Sequence, residues 1–145
     1  MRNMVLLSSK DSQASEKIPV LPFRLDTISA DKPTRFEIVF IENIGNLVCP
    51  ANYDLGEDVR VIILSVAEGD DKPAKYPGIF VKADAVVINK IDLLPYVDCS
   101  ISAIREGIIK INSTAKIFEL SCKTQKGLDA WLGWLRQIKR AKGGS

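Results

Sequence analysis

The sequence predicts an α/β fold: a parallel sheet of about four strands with flanking helices. Three observations carry that expectation. Short apolar runs rich in β-branched residues alternate with stretches of helical period, the signature of βαβ units. The run Ala85-Val86-Val87-Ile88 is apolar throughout, as in a strand of a parallel sheet covered on both faces. Each run also ends in polar residues, so the loops at the carboxyl ends gather on one side, where open α/β sheets place their ligands.

The elements follow in order. Val5-Leu6-Leu7 is at most a short strand, and residues 1–34 otherwise read as an irregular leader punctuated by Pro19, Pro22 and Pro33. Phe36–Ile41 reads as the first clear strand and ends in Glu42-Asn43-Ile44-Gly45-Asn46. Val59–Leu64 is the second, ending in Ser65, and Ala85–Ile88 the third, ending in Asn89-Lys90-Ile91-Asp92. Lys116–Leu120 is a shorter fourth, ending in Ser121-Cys122-Lys123-Thr124. Ile101, Ile104, Ile108 and Ile111 recur at the spacing of one buried helix face. Leu128, Trp131, Leu132, Leu135 and Ile138 mark a last helix, and residues 141–145 a flexible tail. Between Ala74 and Lys82 the pattern is weakly helical, and Pro77 limits it to short pieces.

Composition excludes several classes. The chain has 145 residues, 46% hydrophobic and 26% charged, which bounds it to one domain or part of one. A formal net charge of +2 is too small to argue for nucleic acid or a membrane surface. No apolar run approaches the roughly 20 residues of a bilayer span, and residues 1–7 do not form a signal peptide. Three widely spaced cysteines suit a reducing cytoplasm better than a disulfide framework. The absence of histidine removes histidine bases, triads and metal ligands.

Asn89-Lys90-Ile91-Asp92 carries the chemistry. An ionised Asp92 can accept hydrogen bonds from both the ring N–H and the exocyclic amine of guanine, a donor pair that adenine lacks. A site built for those donors rejects the analogue by several kcal/mol (~3). Asn89 would brace the loop, and the methylene stem of Lys90 would cover one face of the base. Ser121-Cys122-Lys123 stands 29 residues beyond Asp92 and is placed to complete the site. There Ser121 would hold the Asp92 loop and Lys123 would cover the second face. Read alone, Ser121 and Thr124 would serve equally as lead-in caps to the last helix. Glu42, leaving the first strand, stands where nucleotide hydrolases hold Mg²⁺ or its waters.

The phrase Phe40–Ala51, with Tyr53–Glu57, Ser65–Pro77 and Asn89–Pro95, strongly resembles the HypB family of GTPases, which deliver nickel to nickel–iron hydrogenases. The resemblance runs from about Phe36 to about Ile138, so residues 35–140 look like the C-terminal portion of a P-loop NTPase domain of the SIMIBI type. It implies GTP or GDP at Asn89, Lys90, Asp92, Ser121, Cys122 and Lys123, and Mg²⁺ on the side of Glu42. It implies nickel or zinc at Cys49, whose thiolate suits either ion. Cys99 and Cys122 carry no metal role in this reading. The implied partners are a second copy of the chain, a nickel-donor accessory protein and the hydrogenase large subunit, in the cytoplasm.

Two family elements are missing from these 145 residues: a Gly-x-x-x-x-Gly-Lys-[Ser/Thr] loop and a Cys-His pair. Without that loop the backbone cradle and lysine that offset phosphate charge are not supplied. By resemblance the activity is GTP hydrolysis, yet the isolated chain is expected to be inactive. The competing expectations are a non-catalytic remnant or interaction module, and a related urease-type (UreG) or cobalamin-type metallochaperone GTPase. Loss of sheet neighbours would leave an exposed edge open to pairing with another chain.

Overall fold

The computed structural model of the chain describes residues 2–8, 38–43 and 57–143. Its strands are β1 (Arg2–Ser8), β2 (Ile38–Asn43), β3 (Val59–Ser65), β4 (Ala85–Asn89) and β5 (Lys116–Glu119). Its α-helices are α1 (Lys72–Lys75), α2 (Pro77–Phe80), α3 (Ile101–Ile111) and α4 (Leu128–Gly143). Short 3-10 segments, Val66–Glu68 and Ile91–Tyr96, follow β3 and β4.

The strands form one sheet in the order β2-β1-β3-β4-β5. Strands β3, β4 and β5 are parallel, with Ser65 opposite Asn89 and Ile88 opposite Glu119. Strand β1 runs antiparallel to both β2 and β3, so β2 points the same way as β3. The expected parallel sheet is therefore three adjacent strands, with a fourth co-directional strand set apart by β1. The Val5–Leu7 run lies inside β1, while residues 9–34 of the expected leader lie outside the described residues. The first clear strand runs past its expected end to take in Glu42 and Asn43, while residues 36 and 37 lie outside the described residues. Helix α4 continues to Gly143, into the stretch expected to be a tail.

Period-2 alternation sends the strand side chains to two separate cores. On one face Ile62, Leu64, Val86 and Ile88 pack with Ile79 and Phe80 of α2 and with Ile104 and Ile108 of α3. On the other, Val59, Val61, Ala85, Val87 and Leu120 pack with Trp131, Trp134 and Leu135 of α4. Strand β4 is thus covered on both sides, which is why Ala85–Ile88 carries no polar residue.

The helices follow from local chemistry. Ser100 caps α3, its hydroxyl accepting the Ala103 N–H at 3.2 Å. Pro73 and Pro77 stand in the first turns of α1 and α2, where a missing N–H costs nothing, and each piece is four residues long. A Cβ on Gly107 would come within 3.0 Å of Pro73, so a larger residue in α3 would push α1 away. In α4 the buried stripe includes Trp134 rather than Leu132, which is exposed. The reason is Phe118 on β5, whose ring centroid lies 5.3 Å from both Trp131 and Trp134.

Candidate functional site

The carboxyl ends of β4 and β5 are neighbours in the parallel ladder, and each opens into a tightly wound loop. After Asn89 the chain turns through Lys90 in the left-handed region, at φ 62° and ψ 36°. An L-residue there is uncommon and holds local strain of about 1 kcal/mol. Two bonds fix the turn: the Asn89 carboxamide oxygen accepts the Lys90 N–H at 2.7 Å, and the Lys90 carbonyl accepts the Leu93 N–H at 2.9 Å. The 3-10 segment that follows carries Asp92 in its first turn.

The loop after β5 is just as constrained. Gln125 has φ 64° and Gly127 φ 78°. At Gly127 a Cβ would meet the Glu119 carbonyl oxygen at 2.1 Å, so only glycine fits that crossing. The Ser121 N–H donates to the Lys126 carbonyl at 2.9 Å, and the Thr124 N–H donates to the Ser121 hydroxyl at 3.1 Å. Main-chain bonds tie the two loops together, Leu120 N–H to the Ile88 carbonyl at 2.9 Å and Ile91 N–H to the Leu120 carbonyl at 3.3 Å.

Side chains complete the junction. Fully buried Ser121 donates its hydroxyl proton to Asp92 Oδ1 at 2.5 Å. Because that hydroxyl also accepts the Thr124 N–H, its proton is directed at the carboxylate. Asn89 Oδ1 accepts the Cys122 N–H at 3.4 Å as well as that of Lys90. Asp92 is half-buried, and its Oδ2 has no partner among the described residues. Lys90, Cys122 and Lys123 are exposed. The result is a rigid carboxylate with an open oxygen at the rim of the sheet, with Lys90 in its own loop and Lys123 in the loop of Ser121. Such a carboxylate can accept a pair of coplanar N–H donors.

Asn89, Asp92, Ser121 and Cys122 are thus brought together, and Lys90 and Lys123 sit in the same two loops. Glu42 is not part of this cluster. It pairs opposite Met4, which pairs opposite Val61, four residues short of the β3 end. At ~3.3 Å per residue its backbone lies about 13 Å below the level of Ser65 and Asn89. Cys49 lies outside the described residues. Among the described residues no group of three His, Cys, Asp or Glu side chains could hold a metal ion. The contributions of Thr124, Lys126 and Gly127 were not anticipated; a glycine just before an amphipathic helix is the one signal that pointed to them.

The loop after β3 abuts this region. Gly69 turns it at φ 86°, and Asp70 Oδ2 accepts the Ser100 N–H at 3.0 Å, joining it to the start of α3. Asp71 pairs with Lys72 at 2.8 Å and Lys75 at 2.5 Å. Hydrogen bonds from Lys72 and then Lys75 lower its pKa from 3.8 to about 2. Burial, with Asp70 and Asp98 nearby, raises the Cys99 thiol above its ordinary value and keeps it protonated.

A sequence profile of the CobW/HypB/UreG nucleotide-binding domain matches residues 15–119. The chain belongs to that family. The match begins inside the stretch expected to be an unrelated leader. Within the CobW/HypB/UreG family the chain is similar to hydrogenase maturation factor HypB of Cupriavidus necator, at 48% identity over 98 residues, 68% of this chain and 27% of that protein. It is also similar to the probable HypB of Methanocaldococcus jannaschii, at 43% identity over 73% of this chain and 48% of that protein. Among solved structures, HypB of Helicobacter pylori in complex with nickel superposes with a TM-score of 0.64 at 41% identity, covering 68% of this chain and 46% of that one. The chain spans about a quarter to a half of the length of these curated relatives.

Proposed function

We propose that this chain is the guanine-reading part of a HypB-like, GTP-binding metallochaperone that delivers nickel during maturation of nickel–iron hydrogenase. The observation that carries the reading is the Ser121–Asp92 contact at 2.5 Å, beside an Asn89 that bridges both loops. In this reading Asp92 accepts the ring N–H and exocyclic amine of guanine, and Ser121 keeps the carboxylate turned toward them. Asn89 holds the two loops at a fixed separation. The methylene stems of Lys90 and Lys123 cover the two faces of the base, and Cys122 lines the second loop. Kinship to the HypB proteins supports the nickel cargo, since one of them was solved with that metal.

Glu42 on the magnesium side and Cys49 as a nickel or zinc ligand belong to the proposal by kinship, as do pairing of two copies, an accessory nickel donor, the hydrogenase large subunit and a cytoplasmic setting. No helix among the described residues is long and apolar enough to cross a membrane. These 145 residues encode no phosphate-binding loop, so base recognition rather than hydrolysis is the role assigned to them.

A competition titration with labelled GTP tests the reading. Unlabelled GTP should displace the probe at least about tenfold better than ATP, the discrimination expected when a buried acceptor is left unpaired. Equal displacement by ATP would overturn it.

A further inference from the structure

Among the described strands β1 alone runs against the others, and it does so in the interior of the sheet. It pairs with β2 over Asn3–Ser8 on one side and with β3 over Arg2–Leu6 on the other. Doubly wound sheets tolerate a reversed strand at an edge, whereas the interior is built from co-directional strands. Strand β1 also falls outside the matched nucleotide-binding domain, which begins at residue 15, while both of its neighbours fall inside it. The domain's own strands β2 and β3 are therefore held one strand apart, and a segment from outside the domain fills the slot. Its direction decides what reaches the ligand rim. Arg2, at the start of β1, stands opposite Ile63, and Leu6 stands opposite Val59, so the carboxyl end of β1 faces away from Ser65 and Asn89. A strand running with β2 and β3 would deliver its following loop beside Ser65 instead. That loop would stand two strand spacings from β4, about 10 Å across the rim from Asn89. A phosphate-binding turn follows such an interior strand in doubly wound sheets, and these 145 residues encode none.

We propose that the slot between β2 and β3 is a docking site for a parallel strand of a second polypeptide, and that β1 gives way to it. The partner's strand is apolar and runs into a glycine-rich phosphate-binding loop. Strand insertion into an existing sheet is an established mode of peptide recognition, in which main-chain hydrogen bonds supply the affinity. Here the incoming strand replaces, bond for bond, the ladders that β1 makes with β2 and β3. It also sets its loop on the rim that carries Asp92. The slot follows from strand direction alone; the choice of a phosphate-binding partner rests on the guanine-reading proposal above.

The test is a titration of the ¹⁵N-labelled full chain with a synthetic peptide: an apolar strand as long as β1, then Gly-x-x-x-x-Gly-Lys-Ser with a nitroxide on its last residue. The nitroxide should broaden the amides of Ser65, Val66 and Asn89, and Arg2–Ser8 should lose hydrogen-exchange protection. Broadening of Val59 and Asp84 instead would mean antiparallel docking, and undiminished protection of β1 would mean docking at a sheet edge. Either result would overturn the proposal, as would no binding at all. Leu6→Pro removes a ladder donor from β1 between Phe40 and Val59. It should tighten peptide binding at least about fivefold, one hydrogen bond's worth of lost competition, and a gain of that kind cannot come from misfolding. Equal or weaker binding by this variant would count against the exchange. With the peptide bound, GDP should bind at least about tenfold more tightly and guanosine no more tightly, as expected of one added charge-assisted contact to phosphate. Parallel insertion without that gain, where GDP still outcompetes ADP, would overturn the choice of partner and leave the guanine reading standing. If GDP fails to outcompete ADP with and without peptide, the guanine reading falls, and the broadening pattern still decides the strand exchange.

Discussion

Replacing Ser121 by alanine removes one oxygen atom from the centre of the site. That oxygen is fully buried, donates to Asp92 at 2.5 Å and accepts from the Thr124 N–H at 3.1 Å. A hydrogen bond to a charged group contributes about 1.5–3 kcal/mol. The Thr124 amide lies in an exposed loop and can turn to water, so it adds little. Asp92 is half-buried and recovers part of its solvation, which places the expected loss near the middle of the range, about 2 kcal/mol. In urea a domain of this size has a slope of about 1–2 kcal/mol/M, so the midpoint should fall by about 1–2 M with the slope unchanged. Guanine-nucleotide affinity should fall with it, because the freed carboxylate rotates among orientations that do not face the base. A midpoint within about 0.3 M of the parent, beyond extrapolation error, would refute the reasoning. So would an unchanged affinity in a folded variant.

Gly127→Ala should destabilise more than any other substitution in the loop, by about 3 kcal/mol or more. Its Cβ would meet the Glu119 carbonyl at 2.1 Å in a left-handed backbone, and thermal unfolding would show the loss. Asn112→Ala should cost about 2–4 kcal/mol in chemical denaturation. The Asn112 amide donates to the carbonyls of Phe80, Val81 and Ala83, and its oxygen accepts from Thr114 and Ala115. In a carboxyl ¹³C titration Asp71 should titrate near 2, and Lys72→Met should move it back toward 3.8. Because the folded value lies below the ordinary one, the stabilisation from Asp71 is present above pH 3.8 and is lost as pH falls through about 2.

How much of this was legible depends on the range of the interactions that fix each part. Strand β4 and the buried face of α3 were readable, because an apolar run and a 3.6-residue period are local properties of Ala85–Ile88 and Ile101–Ile111. The Ser121–Asp92 contact was also anticipated, since parallel neighbours place their carboxyl-end loops side by side. Strand β1 could be no more than suspected: it has no useful period, and its partners Ile38–Asn43 and Val59–Ile63 are distant in sequence. Leu132 and Trp134 both flank the Trp131–Leu135 stripe, and the choice between them is made by Phe118, a contact no local pattern encodes. The left-handed turns at Lys90 and Gln125 run against residue preference and are imposed by the hydrogen bonds around them. The level of Glu42 relative to Asn89 was not legible, because it follows from the register of β2 on β1 and of β1 on β3, pairings distant in sequence.

The central claim is that the Asp92 carboxylate, held by Ser121, reads guanine, and Asp92→Asn tests it most directly. The amide oxygen can still accept one N–H, but its NH₂ opposes the exocyclic amine of guanine and matches the carbonyl that xanthine carries at the same carbon. In side-by-side titrations the variant should lose about 10–150-fold in affinity for GDP, the equivalent of one charge-assisted hydrogen bond. It should gain xanthosine diphosphate as its preferred ligand, a gain that misfolding cannot imitate. Unchanged GDP binding with no gain for the xanthine nucleotide would contradict the account.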